Sequence, residues 1–340
     1  MKTVIASKSL HAASNTRGIG VYSRELMGAL AKYYSTDTII GSGTGDIIHY
    51  PFFDLFSRTL KINSSIPTVV TIHDLIPLRF PSHFPVGLRG KFNWFWQQQA
   101  VHQADQIITD SESSKKDIMT IMGINQTKIT VIPLGPNHTQ KVGTVLTKKI
   151  ADNYSLPDKY LLYVGDLNWN KNLLGLIKSF SEIEDNKLHL VLVGKVFSDK
   201  PNIPEYKALS QTIYQSGKSD KIHLIGYVPS HHLSVFYTRA TLYVQPSWYE
   251  GFGLPVLEAM KFGCPIASSN RGSLPEVGGE AVDYFDPRSD MTQVIDSLLR
   301  SPKRRAQLSK LGVIRAKTFT WENTARLTHQ VYEKILSSHI

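Results

Sequence analysis

The chain has a single cysteine, Cys264, among 340 residues, so no internal disulfide can form. A small secreted domain held by disulfides is excluded, and the composition fits a reducing compartment such as the cytoplasm. Clusters of cysteine and histidine with zinc-ligand spacing are missing too, which makes a structural zinc site untenable. No run reaches the roughly 18 apolar residues that a transmembrane helix needs. The apolar start, Met1–Ala6, is too short for the core of a signal peptide and reads as a first strand. Asp-x-Asp occurs nowhere, and neither low-complexity tracts nor a short repeat can be found.

What is present fits a folded chain of two domains. Hydrophobic residues make up 41% and charged residues 19%, which is ordinary for a globular protein. The length exceeds one compact core. The formal net charge is +10. That sign favours anionic partners, whether nucleic acid, a membrane surface or a phosphorylated ligand, while solubility is the plain alternative. Residues 1–155 hold sixteen Lys and Arg against ten Asp and Glu, so the first half is the more basic for its length. Basic runs such as Lys115-Lys116 and Lys303-Arg304-Arg305 are short. Nucleic-acid modules concentrate charge more than this, so nucleic acid is set aside as a partner.

Short apolar strands alternate with amphipathic helices, the pattern of parallel α/β sheets. In the first half, strands are predicted at 3–6, 46–50, 67–72, 106–109 and 128–132. Helices are predicted at 21–34, with Leu26, Leu30 and Tyr33 inward, at 88–103, and from a cap at Asp110 or Ser111 to Met122, closed by Gly123. Residues 134–159 lack periodicity and read as a linker. A second series follows, with strands at 160–165, 188–194, 222–226, 242–245 and 265–268. Its helices lie at 172–180, 233–240, 255–262, 291–299, 303–317 and 321–336. Two Rossmann-like halves of this kind place a ligand at the carboxyl ends of their strands.

The most informative segment is Pro246-Ser247-Trp248-Tyr249-Glu250-Gly251-Phe252-Gly253-Leu254-Pro255-Val256-Leu257-Glu258-Ala259-Met260. It follows a strand and opens a helix. Gly251 and Gly253 let backbone approach a ligand closely. The N–H groups of Phe252, Gly253 and Leu254 lie at a helix amino end, which suits a diphosphate or sugar oxygens. Pro255 costs no hydrogen bond in the first turn. Glu250 and Glu258, with seven residues between them, can face one cleft and accept hydrogen bonds from vicinal hydroxyls. The bland alternative is a capped helix carrying two surface glutamates.

This segment resembles the Glu-x7-Glu signature of retaining GT-B glycosyltransferases, family 4. Other stretches are similar to elements of the same family: Tyr163-Val164-Gly165-Asp166-Leu167-Asn168-Trp169-Asn170-Lys171-Asn172, Gly226-Tyr227-Val228-Pro229, Thr71-Ile72-His73-Asp74-Leu75, and Arg17-Gly18-Ile19-Gly20-Val21-Tyr22. The likeness spans roughly residues 15–332. It implies an α/β fold of two Rossmann-like domains facing across a cleft: residues 1–145 on the acceptor side, 155–318 holding the nucleotide sugar, and a final helix, 319–340, crossing back. It implies Glu250, Lys171 and His73 as catalytic residues, with Glu250 on sugar hydroxyls, Lys171 neutralising the departing diphosphate and His73 lining the reacting sugar. Donor contacts would come from Glu258, Gly251, Phe252, Gly253, Leu254, Gly165, Asn172, Tyr227 and Val228. Arg17, Gly18 and Gly20 would form a loop near phosphate or acceptor.

One position departs from the family. An Arg often follows the glycine of the first C-domain strand, and here that residue is Asp166. Lys195 and Arg271 are the candidates for a second cation. No metal and no cofactor are expected. The substrate is a nucleotide diphosphate sugar, GDP-mannose or a UDP-hexose, and the acceptor a saccharide or lipid-linked saccharide. His73-Asp74-Leu75-Ile76-Pro77 with Arg79-Phe80-Pro81 most resembles the mannosyltransferase branch. A GT-B sugar-nucleotide epimerase is the nearest rival, and a non-catalytic nucleic-acid binder the rival from another class. A nicotinamide oxidoreductase would need the third glycine that Gly18-Ile19-Gly20 lacks. Taken alone, His73 could be a loop histidine satisfied by backbone, and Asp74 a cap for the next turn. Leu88–Trp96, with Phe92, Trp94, Phe95 and Trp96 beside Arg79, Arg89 and Lys91, reads either as a core helix with rings left over or as a patch at the cytoplasmic membrane face.

Overall fold

A computed structural model describes residues 2–5, 18–34, 37–40, 45–62, 65–199 and 201–338. The chain forms two compact units, Met1–Gly135 with Phe319–Ile340, and Pro136–Thr318.

In the first unit the elements are β1 (Lys2–Ile5), α1 (Gly18–Tyr33), β2 (Asp37–Ile40), β3 (Ile47–Tyr50), β4 (Thr68–Thr71), α2 (Ile76–Arg79), α3 (Leu88–Gln103), β5 (Gln106–Thr109), α4 (Glu112–Met122) and β6 (Ile129–Val131). The strands pair in parallel in the order β2-β1-β3-β4-β5-β6. Every residue of β4 and β5 is buried, as a parallel sheet covered on both faces requires. α1 turns Tyr22, Leu26, Ala29 and Leu30 inward at helical spacing. Tyr33, expected to join them, shares that face but closes the helix; it is exposed, with the Lys32 ammonium 4.8 Å from its ring. α4 starts and ends as its sequence dictates: Ser111 accepts the Ser114 N–H, and Gly123 takes the left-handed conformation.

The second unit contains α5 (Thr144–Asn153), β7 (Tyr160–Val164), α6 (Leu173–Glu182), β8 (His189–Val193), α7 (Lys195–Asp199), α8 (Pro204–Gln215), β9 (Ile222–Ile225), α9 (Ser230–Arg239), β10 (Leu242–Gln245), α10 (Leu254–Lys261), β11 (Ile266–Ser269), α11 (Leu274–Gly278), β12 (Asp283–Phe285), α12 (Met291–Arg300) and α13 (Pro302–Ala316). α5 falls in the stretch expected to be a linker. It packs Ile150 and Ala151 against Val235 of α9, although Gly143 caps it without a side-chain signal. The sheet order is β12-β11-β10-β7-β8-β9, again all parallel. Counted from β7, this is the doubly wound order of nucleotide-binding sheets, and the winding reverses between β7 and β10. Leu161, Tyr163, Leu190, Leu192, Leu242 and Val244 from the sheet pack with Leu176, Ile177 and Phe180 of α6.

A last helix, α14 (Trp321–Ser337), packs on α1 within the first unit. Its buried residues Trp321, Thr324, Ala325, Thr328, Val331, Tyr332 and Ile335 form one stripe. The Thr324 hydroxyl donates to the Pro133 carbonyl at 2.7 Å, and an added Cβ on Gly135 would lie 2.6 Å from the Trp321 nitrogen.

The exits of β7 and β8 are equally close. A Cβ on Gly194 would sit 2.2 Å from the Gly165 carbonyl oxygen. Gly194→Ala should therefore lower stability by roughly 1–3 kcal/mol, the cost of overpacking against backbone. A urea titration checks this; an unchanged midpoint would refute it.

Candidate active site

The reversal between β7 and β10 brings two loops together at the carboxyl end of the second sheet. The loop after β7 carries Lys171, and the loop after β10 carries Glu250. The Lys171 ammonium donates to both carboxylate oxygens of Glu250, at 2.7 and 2.9 Å. Their side chains are 19% and 8% exposed. Two further donors hold Glu250 Oε1: the Gln245 amide at 2.9 Å and the Ser247 hydroxyl at 2.7 Å. Such a carboxylate is tolerated away from water because each charge has a partner.

The backbone around the pair is fixed by cross-loop bonds. Trp248 N–H donates to Asn170 O at 2.7 Å, Asn170 Nδ2 to Tyr249 O at 3.1 Å, and Asn172 Nδ2 to Pro246 O at 3.0 Å. Asn172, expected to touch the donor, is buried in a left-handed conformation at the amino end of α6, and its amide is committed to this lock. Behind Glu250, Ser273 donates to the carbonyls of Glu250 and Phe252. Gly272, at φ +61°, lets this segment pass: a Cβ there would lie 2.5 Å from Glu250 O. The Trp169 and Trp248 rings stack with centroids 6.4 Å apart beside the pair.

α10 begins where the sequence places it. Gly253 precedes it at φ +102°, and Pro255 occupies the first turn. No acceptor among the described residues takes the N–H groups of Gly253 and Leu254, which leaves them for an anionic or hydroxylic ligand. Gly251 and Phe252 are buried in the same turn. One helical turn on, Glu258 accepts the Tyr237 hydroxyl at 3.0 Å. Some of its surface stays open, but protein surrounds the carboxyl. Burial raises its pKa to about 7, against the smaller opposing effects of the Tyr237 hydrogen bond and Lys261. The two glutamates thus meet different surroundings, Glu250 an ammonium and Glu258 an enclosing wall with a phenol hydroxyl.

The remaining residues expected to contact a donor lie in the same unit. Gly165 follows β7 and donates its N–H to Val193 O. Tyr227 is 55% exposed and Val228 is buried, just past β9. Of the two candidate second cations, Arg271 is paired with Asp286. Lys195 is exposed at the start of α7 and has no ion-pair partner among the described residues. Gly18 and Gly20 lie in the first turn of α1 and not in a loop, whereas Arg17 lies outside the described residues.

His73 belongs to the first unit, directly after β4. Its Nδ1 meets Asp110 Oδ2 at 2.7 Å and its Nε2 meets the Pro51 carbonyl at 3.2 Å, so both ring nitrogens face acceptors. Burial opposes its protonation, but Asp110 and then Asp74 outweigh burial and raise its pKa above 6.5. Asp74 also caps α2 by accepting the Ile76 N–H. His49 is the opposite case: burial, then the nearby His73, lowers its pKa to about 3. It bridges Tyr332 OH at 2.6 Å and Thr71 Oγ1 at 2.8 Å. Gln245, Ser273 and Tyr237 are not among the residues expected at a site, Asp110 reads in the sequence only as a candidate helix cap, and Ser247 and Asn170 only as members of the motif stretches. Gln245 left a trace there, as the polar end of an apolar strand.

These contacts predict two separated histidine titrations. By NMR, His73 should hold its proton above pH 6.5, while His49 stays neutral down to about pH 3. A raised histidine pKa gives stability that is complete below 6.5, its unfolded value, and lost as pH rises through the folded pKa. Removing Asp110 as Asp110→Asn should bring His73 to 6.5 or below; an unchanged titration would rule out this pairing.

The chain is 29% identical over 298 residues to the O-antigen chain mannosyltransferase B of Escherichia coli, covering 84% of this chain and 74% of that protein. It is 28% identical over 318 residues to the E. coli serotype-specific mannosyltransferase WbdA, covering 89% of this chain but 38% of that longer protein. Among solved structures, Anabaena HepE in complex with UDP and glucose superposes with a TM-score of 0.74 at 15% identity, covering 98% of this chain and 100% of that one. The family described as glycosyl transferases group 1 matches residues 147–313, and that described as Glycosyltransferase Family 4 matches residues 17–140. The two matches account for most of both units, and the chain belongs to these glycosyltransferases, with the α/β GT-B fold.

Proposed function

We propose that the protein is a retaining, metal-independent hexosyltransferase that moves mannose from GDP-mannose to a hydroxyl of a saccharide or lipid-linked saccharide during polysaccharide assembly. The observation that carries this reading is the Lys171–Glu250 pair at the switch point, beside the open amino end of α10. The mannosyltransferase names of the E. coli relatives favour mannose, and a UDP-hexose is the competing donor.

In the free protein Lys171 and Glu250 neutralise each other. A donor brings a diphosphate, which competes for the ammonium, and sugar hydroxyls, which donate to the carboxylate. Gln245 and Ser247 keep Glu250 aimed while its partner changes. The bond from the anomeric carbon to the diphosphate oxygen breaks, and negative charge grows on the leaving group. Lys171 and the Gly253 and Leu254 N–H groups face that charge. The acceptor oxygen forms the new bond on the same face, and its proton passes to the departing phosphate oxygen. Glu258 accepts hydrogen bonds from the ribose. The charge that other glycosyltransferases neutralise with a metal is met here by an ammonium and a helix end.

Turnover of GDP-mannose with a saccharide acceptor, followed by proton NMR of the new anomeric centre, tests the reading. Transfer with retention and undiminished by EDTA is expected. An inverted product, a requirement for added Mn²⁺ or Mg²⁺, or release of a rearranged sugar nucleotide without acceptor would overturn it. Lys171→Ala and Glu250→Ala should each lower turnover by about 10²–10³-fold, the scale of losing one transition-state contact. Circular dichroism should show each variant folded.

Glu258 supplies a pH signature. The ionised carboxylate is the stronger acceptor for ribose hydroxyls. Donor affinity, measured by calorimetry, should therefore rise as pH climbs through about 7. Glu258→Gln should flatten that profile, and a slope that survives the substitution would assign it elsewhere.

A further inference from the structure

One surface of the first unit takes no part in the chemistry above. On α3, Leu88, Phe92, Phe95 and Trp96 are 86, 58, 53 and 48% exposed. They fall on one face of the helix, while Trp94 and Val101 turn into the core. The rings touch edge to face, Phe92 to Trp96 at 6.2 Å and Phe95 to Trp96 at 5.7 Å, so the patch is continuous. A folded protein leaves such a patch open mainly where it meets a partner.

Cations are built into the same face. The Arg58 guanidinium lies 5.2 Å from the ring centroids of both Phe92 and Trp96. Its loop is tied to α3. The buried Gln97 amide donates to Asp54 O at 2.7 Å and Thr59 Oγ1 at 2.9 Å, and Asn93 Nδ2 donates to Phe56 O at 2.9 Å. A surface pocket of about 420 Å³ is lined by Arg58, Gly87, Arg89, Gly90 and Asn93 among others. From Leu55 to Ala104 the sole acidic residue is Asp74, against Arg58, Lys61, Arg79, Arg89 and Lys91. Arg79 is paired with Asp117. No carboxylate among the described residues pairs with Arg58, Arg89 or Lys91.

We propose that this face docks on an anionic membrane surface, with the rings of α3 entering the headgroup layer and Arg58, Arg89 and Lys91 meeting lipid phosphates. Exposed aromatic rings with flanking cations suit that boundary, where one end of a ring is apolar and the other wet. A second copy of the chain fits poorly, because a symmetric contact would set these cations against their own counterparts. A soluble polyanion would leave Leu88 and Phe95 without an apolar partner. No helix among the described residues is long and apolar enough to cross a membrane, so the contact proposed is peripheral.

Co-sedimentation of the full chain with vesicles tests this independently of any transferase assay. The chain should partition onto phosphatidylcholine containing about one third phosphatidylglycerol and not onto phosphatidylcholine alone, with binding weakened in about 1 M salt. Replacing Phe92, Phe95 and Trp96 together by Ser should reduce partition at least about tenfold. The separate variant Arg58→Gln, Arg89→Gln, Lys91→Gln leaves the rings in place and should weaken partition about fivefold per charge. Circular dichroism and melting should match the parent for both. Equal partition onto neutral vesicles, partition onto neither, or indifference to both variants would overturn the proposal. So would light scattering showing a dimer that the Ser variant abolishes.

Discussion

The ion pair between Lys171 and Glu250 is the constraint on which the second unit depends. It spans two loops that are far apart in sequence and adjacent only because the sheet reverses its winding between β7 and β10. Neither charge is stable in that position alone. Removing one partner of an enclosed pair typically costs about 3–5 kcal/mol, because the other is left uncompensated. The fold therefore surrounds the pair with neutral donors and backbone locks: Gln245 and Ser247 on the carboxylate, Asn170 and Asn172 across the loops, and Ser273 behind. Donors placed in advance around a charged group do not have to reorganise when the ligand changes. A site of this kind is charged without being frustrated, since a ligand that brings its own anion and hydroxyls can replace both halves of the pair at once.

The same reasoning separates the other ionisable groups. Glu250 is met by a cation and two neutral donors. Glu258, eight positions on, is met by a phenol hydroxyl and raised to about 7 by burial. His73 and His49 differ for a parallel reason: a carboxylate faces one, while a hydroxyl stands on each side of the other. In each couple the residue type is identical and the surroundings, burial and partners together, differ. His73 and Glu250 lie beyond the carboxyl ends of parallel strands, where chain turns leave backbone and side chains free to converge, whereas His49 lies within β3 and Glu258 within α10.

Much of this was legible in the sequence because it is local. The span of α3, the Ser111 cap, the Gly123 stop and the strand–glycine–helix turn at 245–255 rest on neighbouring residues, and the structure has them there. The resemblance of Glu250, Glu258 and Lys171 to a known signature added which charges belong together. What stayed hidden is non-local. Periodicity could not report that β10 lies beside β7, and so could not pick out Asn170 or Ser273 as locks. The sequence pattern also does not mark β2 and β12, each an edge strand of its sheet. α5 begins at a glycine without a side-chain cap and ends a stretch whose composition reads as loop. Tyr33 sits on the right face of α1 but at its last residue, where helical spacing no longer guarantees burial. Around α3 aromatic rings occupy inward and outward positions alike, so only the packing of Trp94 and Val101 decides which way the helix turns.

The net charge of +10 takes on meaning once its partners are known. Many cations are answered locally: Lys159 by Asp185, Arg79 by Asp117, Arg271 by Asp286, Arg304 by Asp283 and Lys171 by Glu250. The exposed pairs among these add little stability each, but Lys159–Asp185, Arg271–Asp286 and Arg304–Asp283 cancel field in the second unit. The excess that is left unanswered between Leu55 and Ala104 is not diluted in this way and sits among aromatic rings. On the two proposals above, long-range attraction and short-range chemistry would fall to different residues. Arg58, Arg89 and Lys91 act over a Debye length of about 10 Å at moderate salt. Lys171 is held at 2.7 Å from Glu250, so only a ligand able to reach into the turn and displace that partner would meet its charge.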